Sequence, residues 1–153
     1  MLNNSNIQWI TKSFAELTNN ELYALLRLRS EIFVVEQNCV YLDLDNNDQK
    51  AYHTLGWIGN DLAATTRLFD KNSIYDNYQS IGRVLTSQKY RRTGTGKALM
   101  HYSIKECERL FGKAPIKIGA QLYLKKFYSD FGFEQSGEVY DEDGIDHIPM
   151  ILA

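Results

Sequence analysis

The stretch Tyr90-Arg91-Arg92-Thr93-Gly94-Thr95-Gly96-Lys97 limits what this chain can fold into more than any other. It lies between a β-rich run, Ser80 to Thr86, and a run of helical character from Thr95 to about Phe111. A strand, a glycine-containing turn and a helix start, in that order, point free backbone N–H groups and the positive end of a helix dipole at one place, which suits an anion. Gly94 and Gly96 let the backbone come close to a phosphate and take positive φ where required. Arg91, Arg92 and Lys97 add forked or point-like cationic donors. The stretch therefore reads as a phosphate cradle. It is not a Walker A loop, because Gly94-Thr95-Gly96-Lys97-Ala98 has neither the four-residue spacer nor a Ser or Thr after the lysine. Nor is it a dinucleotide fingerprint, whose third glycine is replaced here by Leu99.

Upstream of the cradle, residues 7–11 are aromatic and β-branched and read as a first strand. Thr18-Asn19-Asn20-Glu21 has the capping-box form. Leu22, Leu25, Leu26, Arg29, Ile32 and Phe33 then keep the rhythm of one buried stripe, so a helix is predicted to about Val34. Residues 36–49 form an irregular acidic connection carrying Glu36, Asp43, Asp45 and Asp48, with room for one helical turn. Two readings of it stay open: a solvated link, or one wall of a pocket that favours a cationic substrate. Residues 53–58 and 62–69, joined by Gly59-Asn60-Asp61, read as a hairpin. After a polar loop at 70–77, a strand at 79–86 completes a three-strand antiparallel meander.

Beyond the cradle the pattern predicts an amphipathic helix with Met100, Ser103, Ile104, Cys107, Leu110 and Phe111 on one stripe, stopped by Gly112. A short strand at 115–120, a third helix at 121–131 stopped by Gly132, and a hairpin of strands 138–140 and 145–151 around a turn at 141–144 follow. The expected fold is α+β (mixed α/β), a mostly antiparallel twisted sheet of about 6–7 strands flanked by helices, in one domain spanning 1–153.

The chain has 153 residues, enough to bury a core without disulfide or metal staples. Its 19 acidic and 17 basic residues leave a net charge of −2, so any basic site is local. Wholesale binding to nucleic acid or to an anionic membrane is disfavoured on that ground, including a nucleic-acid reading of Lys89, Arg91 and Arg92. Cys39 and Cys107 have neither CxxC nor His spacing and read as two reduced thiols of a cytoplasmic protein, with no metal expected. The polar start Met1-Leu2-Asn3-Asn4-Ser5 and the lack of an apolar run of ~18–20 residues predict neither a signal peptide nor a transmembrane helix.

Arg91-x-x-Gly94-x-Gly96, after a strand ending Val84-Leu85-Thr86 and before a helix, resembles the acetyl-CoA pyrophosphate motif of the GNAT N-acetyltransferase superfamily. Gln121-x-x-Leu124-x-x-x-Tyr128-x-x-x-Gly132-Phe133 is similar to that family's later helix and its Tyr-x-x-x-Gly-Phe ending. Arg29-x-x-x-Phe33-Val34-Val35-Glu36-Gln37, Ile118-Gly119-Ala120-Gln121 and Glu142-Asp143-Gly144-Ile145-x-His147-Ile148 resemble the ElaA-like branch, so the likeness runs over nearly the whole chain. Three positions depart from the pattern. Arg92 stands where many members carry glycine, Gln121 where many carry asparagine, and Ser87-Gln88 lacks a frequent proline. Arg92 implies a turn at ordinary φ or a bulky side chain turned to solvent.

The resemblance implies an acetyl-CoA-dependent N-acetyltransferase with acetyl-CoA as co-substrate, an amine of a small molecule or peptide as acceptor, and a homodimer. Its alternative is a non-catalytic acyl-CoA-binding or regulatory module on the same fold. By the same resemblance, the backbone of Arg91, Arg92, Thr93, Gly94, Thr95, Gly96 and Lys97 holds the pyrophosphate. The Val84 N–H polarises the thioester carbonyl, Thr86 pairs with pantetheine like an added strand, and Gln121 touches the pantetheine arm or the adenine side. Tyr128 is implied as general acid for the departing thiolate, its alternative being an aromatic packed under its helix. Glu36 or His147 is implied as general base acting through water, with His53 a third candidate, and each of them also reads as structural or solvated. Lys125 and Lys126 either reach a 3′-phosphate or are simply solvated. No covalent enzyme intermediate is required, so neither cysteine is cast as a nucleophile.

Overall fold

The computed structural model describes residues 6–153, and the polar start read at 1–5 lies outside them. The elements are β1 (Gln8–Ser13), α1 (Asn19–Arg29), β2 (Tyr52–Ile58), β3 (Asp61–Phe69), β4 (Ser80–Thr86), α2 (Thr95–Phe111), β5 (Ile116–Gln121), α3 (Lys125–Ser129), β6 (Glu134–Gln135), β7 (Tyr140–Glu142) and β8 (Ile145–Leu152). Strands β1-β2-β3-β4 form one antiparallel sheet, and β5-β8-β6, with β7 also on β8, form a second. The two halves meet at an isolated parallel bridge between Gln79 and Ile116. There the Gln79 N–H donates to the Pro115 carbonyl at 3.1 Å and the Lys117 N–H donates to the Gln79 carbonyl at 2.8 Å. This is the α+β sheet with flanking helices that the sequence predicts, split into two wings.

Helix α1 starts on the predicted capping box: the Glu21 N–H donates to Thr18 Oγ1 at 3.1 Å and the Thr18 N–H to Glu21 Oε1 at 2.8 Å. After Arg29 the helix widens into a π-helical turn, Ser30–Glu36, through the β-branched run at its end. Such turns are frequent at functional sites. The third helix is shorter than its sequence suggests. Ala120 and Gln121 pair with Ile148 and His147 on β8, so the ladder holds them as strand. A 3₁₀ turn (Leu122–Leu124) then precedes the five residues of α3. At the closing hairpin, Asp143 and Gly144 both have positive φ, 53° and 81°, and make a two-residue turn where four residues were expected, which moves β7 to Tyr140–Glu142.

The main core joins Met100 and Cys107 of α2 to Leu68 and Ile81 of the first wing, and to Ile118, Ile148 and Met150 of the second. A smaller core joins Leu28 and Ile32 to Leu85. A regular strand would put Ile81, Arg83 and Leu85 on one face. Here Arg67 pairs with Gly82 and Thr65 with Leu85, so Thr66 faces both Arg83 and Val84, which is a β-bulge. Ile81 and Val84 consequently share the core under α2, and Leu85 crosses to the core under α1.

At the outer edge of the first wing, Trp9 of β1 stacks on Tyr102 of α2 with ring centroids 5.2 Å apart, and its indole lies flat over Gly56 of β2. A Cβ on Gly56 would stand 2.5 Å from Trp9 Cζ3. Gly56→Ala is therefore expected to lower stability by about 1–3 kcal/mol through overpacking, read as a drop in the urea midpoint with an unchanged slope.

Candidate active site

Beyond the Gln79–Ile116 bridge, β4 and β5 diverge and enclose a cleft of about 790 Å³. Val84 and Thr86 from β4, Arg91 and Gly96 from the turn, and Gln121 and Tyr128 from the other wing all line it. The base candidates Glu36 and His147 line it as well. Arg92, Thr93, Gly94, Thr95 and Lys97 belong to the turn and first helical turn beside the cleft and are not part of its lining.

The turn lies between strand and helix as the sequence predicts, and of its two glycines Gly94 takes positive φ. Gly94 is the N-cap of α2 at φ 81°, and no side chain caps the helix there, which leaves its first N–H groups for another acceptor. Thr93 Oγ1 donates to the Tyr90 carbonyl at 2.5 Å and lies 2.7 Å from Thr95 Oγ1, so the turn is pinned from inside. Arg92 is exposed, and its φ is 61°. Of the two implications drawn from it, the side chain does turn to solvent but φ is not ordinary. An arginine occupies the left-handed region that glycine fills at lower cost, by about 1–2 kcal/mol. A Cβ on Gly96 would meet Thr86 Cγ2 at 3.8 Å and Phe127 Cζ at 3.9 Å, so this glycine sits where β4, α2 and α3 converge.

Of the two readings of the acidic connection at 36–49, the pocket wall fits better: Glu36, Cys39, Tyr41 and Asp45 line the cleft, but arginines face its aspartates. Arg29, 1% exposed, donates from Nε to Asp43 Oδ2 at 2.9 Å and from Nη1 to Asp48 Oδ1 at 2.7 Å. Arg67 donates to both oxygens of Asp45, at 2.7 and 2.5 Å, and to Asp48 at 3.1 Å. Arg83 donates from Nε to Asp43 Oδ1 at 2.8 Å and from Nη2 to the Asp43 carbonyl at 2.9 Å. Three arginines thus balance three aspartates. Burial by itself would raise the Asp45 and Asp48 carboxyls, but the arginine forks and charges outweigh it and hold both below the usual carboxylate range.

The four titratable candidates fare differently. Burial pushes the Tyr128 phenol well above its usual range, so it stays protonated at neutral pH and able to donate. Glu36 accepts from Arg91 Nη2 at 2.7 Å and from Gln88, and the Arg91 bond holds its carboxyl low, which weakens it as a base. His147 Nδ1 lies 2.7 Å from the Ile145 carbonyl, its Nε2 lies 3.3 Å from Glu142 Oε2, and its ring stacks on Tyr140. His53 is 1% exposed, lies 2.9 Å through Nε2 from the Asp48 carbonyl, and is held neutral by burial; it lies outside the cleft. Lys125 and Lys126 bond to Gln135 and Asp130 at the surface and are not part of the cleft lining. Gln121 exchanges amide contacts with Gln37 at 3.3 and 3.5 Å.

Cys39 and Cys107 are both free and buried. The Cys39 thiol donates to the Asp143 carbonyl at 3.1 Å, and burial pushes the Cys107 thiol up to about 12. Neither environment activates a nucleophile. Among the described residues no three His, Cys, Asp or Glu side chains converge as metal ligands, and no helix is long and apolar enough to cross a membrane.

Sequence reading missed Arg83, Glu142, and the pair Tyr75 and Tyr140, whose hydroxyls would lie 3.5 and 2.5 Å from a Cβ on Gly119. The glycine in Ile118-Gly119-Ala120 was the available signal, since glycine inside a strand marks a close approach.

The family model described as acetyltransferase (GNAT) domain matches residues 46–153. Protein ElaA of Escherichia coli is 40% identical over 146 residues, covering 94% of this chain and 95% of that protein. Among solved structures, an acyl-CoA N-acyltransferase from Pseudomonas aeruginosa matches with a TM-score of 0.90 at 40% identity, covering 96% of this chain and 99% of that one. Escherichia coli ElaA itself matches with a TM-score of 0.89 at 39% identity over the same shares.

The carboxylates held low in the ion network fix the sign of the acid response. Their folded pKa values lie below the unfolded ones, so the unfolded chain takes up protons first. Stability is expected to be full above about pH 5 and to fall steadily below it, in a urea series run from pH 7 to pH 2.

Proposed function

The chain belongs to the GNAT acetyltransferase family, in its ElaA-like branch, and is an acyltransferase; on that footing we propose that it transfers acetyl from acetyl-CoA directly to a primary amine of a small molecule or peptide. The observation that carries this reading is the convergence, on one cleft, of a bulged strand at Val84, Gly96 from the uncapped start of α2 and a protonated Tyr128. When bound, acetyl-CoA would supply a thioester whose carbonyl gains negative charge as an amine attacks.

The chain's own residues would divide the work as follows. The first N–H groups of α2, with Arg91, Arg92 and Lys97 around them, hold the pyrophosphate, and Thr86 pairs with pantetheine at the open edge of β4. The Val84 N–H takes the growing charge on the carbonyl oxygen. A base receives the proton that the attacking ammonium must lose, and Tyr128 returns one to sulfur as the C–S bond breaks. His147 is the favoured base, because Glu36 is engaged by Arg91. A cationic acceptor is supported by the β7–β8 hairpin, which brings exposed Glu142 and Asp143 to the cleft wall, and not by the connection at 36–49, whose aspartates are balanced by arginines.

Incubation with acetyl-CoA and a panel of polyamines, amino acid amides and peptides, followed by release of free thiol, tests the reading. Tight CoA binding without turnover on any amine would favour a non-catalytic acyl-CoA module. Tyr128→Phe is expected to lower kcat about 100-fold, and an unchanged rate would remove the acid assignment. His147→Gln is expected to lower kcat by about 100-fold, whereas Glu36→Gln should lower it less than about tenfold. Gly96→Pro keeps a residue that the first helical turn accepts but deletes one N–H, so CoA affinity measured by calorimetry is expected to fall about tenfold.

A further inference from the structure

We propose that Arg83 is a positioning residue, whose guanidinium, clamped on Asp43, holds the β4 bulge that turns the Val84 N–H out of the strand ladder. The inference rests on the role assigned above to that N–H. Arg83 has φ 47°, in the left-handed region that is costly for residues other than glycine. Glycine is the usual occupant of such a bulge position. The chain has a glycine next door, Gly82, whose φ is not positive, and places the unusual conformation on the arginine instead.

The side chain accounts for that choice. Arg83 bonds Asp43 twice, at 2.8 Å to the carboxylate and 2.9 Å to the carbonyl, and its guanidinium lies 5.8 Å from the centroid of the Tyr41 ring. Asp43 is 4% exposed and cannot follow a moving partner, because Arg29 Nε holds its other oxygen at 2.9 Å and the Tyr41 hydroxyl donates to it at 3.1 Å. A regular register would exchange the faces of Val84 and Leu85 and pull the guanidinium off this fixed carboxylate. The clamp therefore opposes the slip that would return the Val84 N–H to the ladder. Arg83 touches no reacting atom in this scheme; it acts through the backbone of its neighbour.

The decisive comparison is Arg83→Ala with Arg83→Gly. Both lose the guanidinium, and they differ in whether the backbone takes positive φ freely. With the best amine of the panel, Arg83→Ala is expected to lose about 100-fold in kcat with little change in the acetyl-CoA KM, and Arg83→Gly to lie about tenfold above Arg83→Ala. Equal rates for the two variants, or a rate for Arg83→Ala equal to that of the parent protein, would overturn the proposal. A second readout needs neither an acceptor nor a folded Arg83→Ala. The Val84 amide resonance should move further with acetyl-CoA than with CoA in the parent protein and in Arg83→Gly. Identical Val84 shifts with both ligands in the parent would reject the positioning role even if turnover is observed. A difference between them without turnover on any amine would reject the enzymatic reading and leave the positioning role standing.

Discussion

A buried exchange of charge between three arginines and three aspartates is the interaction on which the rest of the structure depends. Arg29 comes from the end of α1, Arg67 from β3 and Arg83 from β4, while Asp43, Asp45 and Asp48 come from the connection between α1 and β2. Taking such ions out of water is costly, and the cost is offset only when every partner is present. The network is therefore closer to all-or-none than to a sum of pairs. Its effect is on shape: it draws an otherwise irregular connection against the sheet and ties the end of the first helix to the strand that borders the cleft.

The cleft follows from that tie and from a scarcity of contact elsewhere. The two wings share one parallel bridge among the described residues, so the main chain of β4 and β5 is unpaired across the opening. Packing under α2 holds the wings together behind the opening, through Met100, Cys107, Ile118 and Ile148. Gly96 in the first turn of α2 and Tyr128 of α3 both line that opening. In this geometry a ligand that lies along β4 meets a helix dipole, an edge of strand and a protonated phenol in turn.

Charges in the cleft wall are distributed differently from their order in the chain. Of the acids on the connection, Glu36 and Asp45 line the cleft and are matched by Arg91 and Arg67, while Asp43 and Asp48, outside its lining, are also matched by arginines. The unbalanced acidic groups lie on the β7–β8 hairpin, where Glu142 faces His147 across 3.3 Å. His147 thus meets a carbonyl at one nitrogen and a carboxylate at the other.

The sequence by itself determined what depends on neighbours a few residues away. The capping box at Thr18, the stripe of α2, the Gly59–Asn60 turn and the turn at Gly94 into α2 each rest on local periodicity or on a single residue's conformational range, and each is found where that logic puts it. The same logic failed at residues 121–124, where helical spacing lost to pairing with β8. Only the tertiary structure decided the bulge at Arg83–Val84, because alternation along Ser80–Thr86 fits a regular strand equally well and the slip is held by an aspartate 40 positions away. It alone decided which acids are balanced and which face the cleft, since Coulomb attraction depends on distance in space and burial, and a count of carboxylates along the chain records neither.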